Sequence, residues 1–266
     1  MSKSLLPSLA LSIGLLLSSA SLASDLQREQ RIAENIKDTI VVGDVLSLQA
    51  NGAEFLGLIN NEGGEKTHGS VIILHGMGAN PNAPQIIAPL RDQLAELGWI
   101  TVAIQLPIAA ADGSIDDYLA LIKESAPRIQ ATLDYVQKNF PDRPCAIVAH
   151  SLGAVMATYF LSTQEKPTCA TNVMIGLPTL ASDLPEASSV ELLKKINIPI
   201  FDIYGSQDLA SIKTMAPSRK MTMMKNNPLS RQVEISGADH TFTGLDDTLV
   251  RSIHSWLIHT LEQTNH

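Results

Sequence analysis

Short runs of β-branched and aliphatic residues alternate along this chain with longer stretches in which apolar residues recur every three or four positions. The runs VIIL (71–74), ITVAIQL (100–106), CAIVA (145–149), TNVMI (171–175), PIFDIY (199–204) and QVEI (232–235) have the length of strands. Several are apolar throughout, as strands of a parallel sheet are when both faces are covered. Between them, Ile122, Ala126, Ile129, Leu133, Val136 and Phe140 put one apolar stripe on a helix. Pro127 lies inside that span and predicts a kink or a fresh helix start near Ser125. Leu245, Leu249, Ile253, Leu257 and Leu261 predict a terminal helix. Strand and helix alternating in this way predict an α/β fold, a mostly parallel sheet with helices on both faces. Ahead of it, residues 39–48 and 53–59, separated by Asn51 and Gly52, read as a pair of antiparallel strands. The polar stretch 24–38 reads as a surface helix or arm.

The first residues stand outside this pattern. Lys3 precedes an apolar stretch from Leu5 to Leu17, and small residues follow through Ala20, Ser21, Leu22 and Ala23. That is the layout of a cleavable secretory signal, with cleavage expected after Ala23 and Ala20 as the second choice. A membrane anchor is the alternative, but the run is short of the about 20 apolar residues that span a bilayer and is broken by Ser and Gly. The expected organisation is a signal peptide at 1–23, an arm at 24–38 and one domain at 39–266. Export into a periplasm follows if the source is Gram-negative, with full secretion as the second choice.

Composition narrows the partners. With 19 Lys plus Arg against 27 Asp plus Glu, the formal net charge is −8, and no basic run is present. Nucleic acid and anionic membrane are therefore not expected as partners, because phosphate affinity comes mainly from Lys and Arg. An aromatic content of 4% also argues against a base- or sugar-stacking platform.

The most specific chemical signal is Ala149-His150-Ser151-Leu152-Gly153, placed after the strand CAIVA and before the apolar stretch AVMATYFL. It resembles the nucleophile elbow of α/β-hydrolases, G-x-S-x-G, with Ala149 in place of the first glycine. The position demands a small residue because strand and helix approach closely there, and Ala meets that demand. A helix-capping serine is the plain alternative. An elbow needs an acid and then a histidine further along the chain. Asp208 follows the strand PIFDIY, at the sheet edge where Ser151 lies; a helix cap is its alternative role. Asp202 competes, but it sits within the strand, with its side chain toward a packed face. His240 follows the last strand and is the histidine on a loop after both Ser151 and Asp208. His75 and His150 flank the oxyanion and nucleophile turns and read as orienting or packing groups.

The strand VIIL runs into His75-Gly76-Met77-Gly78, similar to the oxyanion loop of the same hydrolases, where glycines let backbone amides face a developing alkoxide. The expected donors are the N–H groups of Met77 and Leu152, with Gly76, Gly78 and Gly153 giving the turns their room. A phosphate loop is the competing reading, but Pro81 follows the glycines and no GK[ST] occurs.

From about residue 69 to 262 the chain resembles a small α/β-hydrolase. The combination LHGMG, GW, AHSLGA and GADH is especially similar to an exported hydrolase-like family of Gram-negative bacteria, a likeness that implies little about substrate. In the strand order of that fold, the strands beginning at Cys145 and Cys169 are neighbours. This implies a Cys145–Cys169 disulfide at the edge away from Ser151, closing a loop of about 25 residues and worth roughly 3 kcal/mol. Two buried thiols are the alternative, whereas two cysteines without further ligand spacing make no metal site. Only Leu177 to Ile198 stands where many lipases insert a large lid, enough for a loop and a short helix such as Val190 to Lys195. An open or shallow pocket is expected. Met215, Met221, Met223 and Met224 could line an apolar mouth, but a helix packed on the sheet is the favoured reading.

The resemblance implies a serine hydrolase acting on an ester or thioester of a small-molecule or acylated substrate, with no metal or organic cofactor. Amide cleavage uses the same triad, while dehalogenase chemistry is disfavoured because that branch carries an Asp nucleophile. A binding or envelope-assembly protein on the same fold is the second reading, since folds do not dictate functions.

Overall fold

The computed structural model describes residues 24–62 and 67–264. The expected signal peptide, residues 1–23, lies outside the described residues.

Eight strands form one sheet. They are β1 (Asp44–Ala50), β2 (Ala53–Asn60), β3 (Gly69–Leu74), β4 (Trp99–Ile104), β5 (Cys145–His150), β6 (Thr171–Ile175), β7 (Ile200–Gly205) and β8 (Arg231–Ile235). Their spatial order is β1-β2-β4-β3-β5-β6-β7-β8. The first two pair antiparallel across the two-residue Asn51–Gly52 turn, whose positive φ angles of 51° and 77° suit a tight hairpin. β2 is also antiparallel to β4, and every later pairing is parallel. This is the α/β-hydrolase fold.

The unbroken apolar runs reflect burial on both faces. In β3, Ile72 and Leu74 join one core layer while Val71 and Ile73 join the other; in β5, Ile147 and Ala149 oppose Ala146 and Val148. Helices α3 (Ile115–Asn139), α4 (Leu152–Ser162), α5 (Ser189–Leu193) and α7 (Ala216–Asn226), the last preceded by the short α6 (Ala210–Lys213), cover the first face, and α2 (Ile87–Glu96) and α8 (Asp246–Thr264) the second. The expected stripe of α8 is buried at Leu249, Ile253, Leu257 and Leu261.

Several boundaries differ from the expectations. The strand expected from 39 begins at Asp44, because α1 (Leu26–Thr39) continues to Thr39, burying Ile36 against Leu56 and Leu58. The expected fresh helix start near Ser125 is absent: α3 runs from a capping box at Ser114 and Asp117 straight through Pro127. A proline leaves the carbonyl four residues earlier without its bond. Here that carbonyl belongs to Lys123, an exposed residue. The strand expected over 100–106 ends at Ile104, since the Leu106 N–H donates to His75 Nε2 (3.0 Å) instead of to a strand. The short helix expected over 190–195 ends at Leu193. Of the methionines, Met223 is buried in the core, whereas Met221 and Met224 are exposed.

Cys145 and Cys169 form a disulfide, with Cα atoms 4.6 Å apart. Cys145 opens β5 at the end opposite Ser151, and its carbonyl accepts from the Ala170 N–H (2.8 Å), which holds the β6 entry beside it.

Candidate active site

Ser151 occupies the single residue between β5 and α4, with φ 54° and ψ −122°. Positive φ is uncommon for a residue with a side chain and is held here by its surroundings. The Ser151 N–H donates to Ile175 O (2.9 Å), and its carbonyl accepts from Ala154 (2.9 Å) to start α4. The following turn has no space to spare. A Cβ on Gly153 would lie 2.4 Å from His75 O and 2.9 Å from Leu74 O, so only glycine fits. Ala149 is fully buried, in register with Leu74 and Met174, and its methyl group is accommodated.

Three sequence-distant side chains meet above this turn. His240 Nε2 is 2.9 Å from Ser151 Oγ, and His240 Nδ1 is 2.7 Å from Asp208 Oδ1. Asp208 lies just past β7, its Oδ1 accepting the Leu209 N–H (2.8 Å) and its Oδ2 facing the Gly205 N–H (3.4 Å). Burial works to raise its carboxyl. The hydrogen bonds from His240 and Leu209, with the nearby His240 charge and the Gly205 amide, outweigh burial and hold it below the usual carboxylate range. Asp202 takes the other expected place, fully buried within β7 and bonded to Arg219 Nε (2.8 Å) and Gln232 (2.7 Å).

His75 and His150 frame the site without joining that chain. His75 Nδ1 donates to Gly76 O (2.8 Å), so Nε2 is the acceptor, receiving Leu106 N–H and the Gln105 amide at 3.0 Å each. Burial lowers the pKa of this ring to about 4, keeping it neutral. His150 Nε2 donates to the His240 carbonyl (3.0 Å), and the two rings lie 4.8 Å apart. Burial, then the neighbouring His240, lowers the pKa of His150 to about 4 as well. Gly76 abuts the nucleophile turn: a Cβ there would be 3.2 Å from Ser151 Cβ. Among the described residues, neither the Met77 nor the Leu152 N–H has an acceptor. Met77, next to Gly76, and Leu209, next to Asp208, are exposed apolar residues on the adjoining loops.

Sequence reasoning missed two contributors. Gly176, directly after β6, has φ +56°, and a Cβ there would come 3.1 Å from His240 Nδ1 and 3.2 Å from Asp208 Oδ2. Its signal was a glycine closing the strand beside the elbow strand. The second is the buried Glu29–Arg128 ion pair (2.7 Å), which with the Glu29 to Ile108 N–H bond (3.1 Å) fastens α1 to the loop after β4. The arm therefore has a buried charged anchor that its polar sequence did not reveal.

Sheet order and the strained serine turn between β5 and α4 give this protein the α/β-hydrolase fold. Solved structures agree on the fold. The esterase Pf2001 of Pyrococcus furiosus superposes with a TM-score of 0.66 at 16% identity, covering 84% of this chain and 96% of that one. Est1E of Butyrivibrio proteoclasticus gives 0.62 at 13%, covering 82% and 99%. An alpha-beta serine hydrolase homologue from Coxiella burnetii gives 0.61 at 19%, covering 81% and 99%. A comparison with curated proteins gives no match. The chain belongs to the family DUF3530, described as a protein of unknown function, which matches residues 18–121 and 116–259.

Proposed function

We propose that this chain is an exported serine hydrolase that cleaves an ester or thioester through an acyl-enzyme. The observation that carries the reading is the continuous hydrogen-bonded chain from Ser151 Oγ through the His240 imidazole to Asp208. Ser151 Oγ bonds to the acyl carbon while His240 Nε2 takes its proton. The alkoxide that develops is stabilised by the Met77 and Leu152 amides, which have no acceptor of their own among the described residues. His240 then gives the proton to the departing alcohol or thiol as that bond breaks. Water repeats the sequence in reverse and releases the acid. Asp208 holds the Nδ1–H tautomer and stabilises the imidazolium.

Residues 1–23 act as a signal peptide, residues 24–38 as an arm and 39–266 as the hydrolase domain, placing a Gram-negative source's protein in the periplasm. The disulfide supports an oxidising compartment. Exposed apolar residues around the half-buried Ser151, with only a short segment between β6 and β7, favour a small acyl group or an acylated surface.

The test is intact-mass spectrometry after exposure to a fluorophosphonate. One adduct on Ser151, absent in Ser151→Ala and His240→Ala, is the expected result. A folded wild type that takes no adduct would replace this reading with a binding or envelope-assembly role.

A further inference from the structure

Arg28, in the first turn of α1, is a half-buried cation without a carboxylate partner. Its Nη1 donates to Ala109 O (2.7 Å), and among the described residues its guanidinium joins no ion pair. The carboxylates nearest to it in the chain are occupied. Asp25 accepts the Arg28 N–H as the cap of α1, and Glu29 takes Arg128 and the Ile108 N–H.

This cation is held at the loop after β3. A Cβ on Gly78 would lie 3.4 Å from Tyr118 Oη and 4.0 Å from Arg28 Nη2, and among the described residues nothing else beyond its chain neighbours comes as near. Tyr118 has its ring buried in the core, and its hydroxyl makes no hydrogen bond among the described residues. Two donors with unused capacity, one of them charged, therefore converge on one glycine. Arg28 is also fixed in place: the Asp25 N–H to Ile108 O bond (2.8 Å) and the buried Glu29–Arg128 pair (2.7 Å) fasten α1 to the loop after β4. A guanidinium beside a phenol hydroxyl matches the two oxygens of a carboxylate.

Gly78 follows Met77, whose amide is the proposed oxyanion donor, and is two residues past Gly76, which abuts Ser151. At ~3.8 Å between successive Cα atoms, Gly76 and Gly78 lie within ~7.6 Å of each other. Sheet order supplies the direction. Ser151 follows β5, and His240 follows β8 on one side of it, whereas the loops after β3 and β4, which carry Gly78 and hold Arg28, lie on the other. The leaving group must face His240, which gives it a proton, so the acyl chain runs the opposite way, toward Arg28.

We propose that Arg28 and Tyr118 bind a carboxylate at the far end of the acyl chain, which makes the substrate a half-ester or half-thioester of a dicarboxylic acid. This rests on the hydrolase reading and extends it to a substrate class.

The probes are the p-nitrophenyl half-esters of adipate and suberate against p-nitrophenyl hexanoate and octanoate, which match them in chain length and lack the charge. The expected result is a kcat/KM at least about tenfold higher for the better half-ester than for its neutral match, carried by KM, as a charge-assisted hydrogen bond remote from the reacting carbon provides. Arg28→Gln should bring that ratio to about one, Arg28→Lys should restore part of it, and Tyr118→Phe should lower it about threefold. A purely structural role for Arg28 would lower both rates together and leave the ratio where it was. A wild type without the preference, or Arg28→Gln that keeps it, would overturn the proposal and leave the hydrolase standing. Binding is read separately on Ser151→Ala by NMR: monomethyl adipate should shift the Gly78 amide and the Arg28 Nε–H saturably, and dimethyl adipate should not. Equal shifts from both, or none from either, would overturn the proposal. These shifts in a protein whose wild type neither takes fluorophosphonate nor cleaves any of the esters would overturn the hydrolase reading and leave the carboxylate site.

Discussion

A Cβ placed on Gly153 would lie 2.4 Å from the carbonyl oxygen of His75, so the first turn of α4 touches the loop after β3 backbone to backbone. Neither partner can yield as a flexible side chain would. Gly153→Ala should therefore cost about 3 kcal/mol, at the upper end of overpacking, and should weaken fluorophosphonate labelling by pushing the Met77 loop away from Ser151. Ala149→Gly is the control, a strand position where removing the methyl group costs about 1 kcal/mol. It should label normally. Urea denaturation and adduct mass read both.

The hydrogen-bonded chain predicts a graded loss. Ser151→Ala and His240→Ala should lower kcat by about four to six powers of ten on whichever ester proves a substrate. Asp208→Asn should cost about 10⁴-fold, because an amide in that place favours the wrong imidazole tautomer. A drop below tenfold in Asp208→Asn would mean that the aspartate only caps the turn through Leu209.

That aspartate shows where sequence sufficed. Asp202 and Asp208 stand six residues apart, and alternation along β7 sends the first into the sheet layer. There it meets Arg219 in a pair buried on both sides, which no spacing announces. Asp208 falls past the strand end, on the edge shared with Ser151, so strand length alone separates the two. The sheet class and the tight strand–Ser151–helix turn were legible for the same reason: each is a local run with one physical demand. What was not legible depends on contacts between distant segments. The extension of α1 to Thr39 follows from Ile36 packing on β2, the early end of β4 from His75 taking the Leu106 amide, and the place of Gly176 from the His240 ring above it.

The disulfide predicts a stability loss without a site effect. Its cysteines are 24 residues apart in sequence, so opening it should cost about 3 kcal/mol through the freer unfolded chain. The Cys145→Ser, Cys169→Ser double variant should show this in urea titration and still accept the fluorophosphonate. Both cysteines lie across the sheet from Ser151, at the start of β5 and before β6. A double variant as stable as wild type under oxidising conditions would contradict the prediction.

Acid should destabilise the protein well above the pH at which carboxylates protonate. His75 and His150 each have a folded pKa of about 4, below the ordinary value near 6.5 of an exposed histidine. Between those values the unfolded chain binds protons that the folded one refuses, so stability rises with pH across the window and is lost as pH falls from about 6.5 to 4. His75 alone accounts for about 3 kcal/mol over the full window. Asp208, whose pKa is depressed, adds to the loss only below the usual carboxylate range. Unfolding free energies measured at pH 7.5, 5.5 and 4.5 should fall steadily. In His75→Gln, which cannot titrate, the fall should be shallower by about the His75 share, whatever that variant costs at pH 7.5. An equal fall in wild type and variant would mean that His75 is protonated in the folded protein, and that its Nε2 does not accept from Leu106.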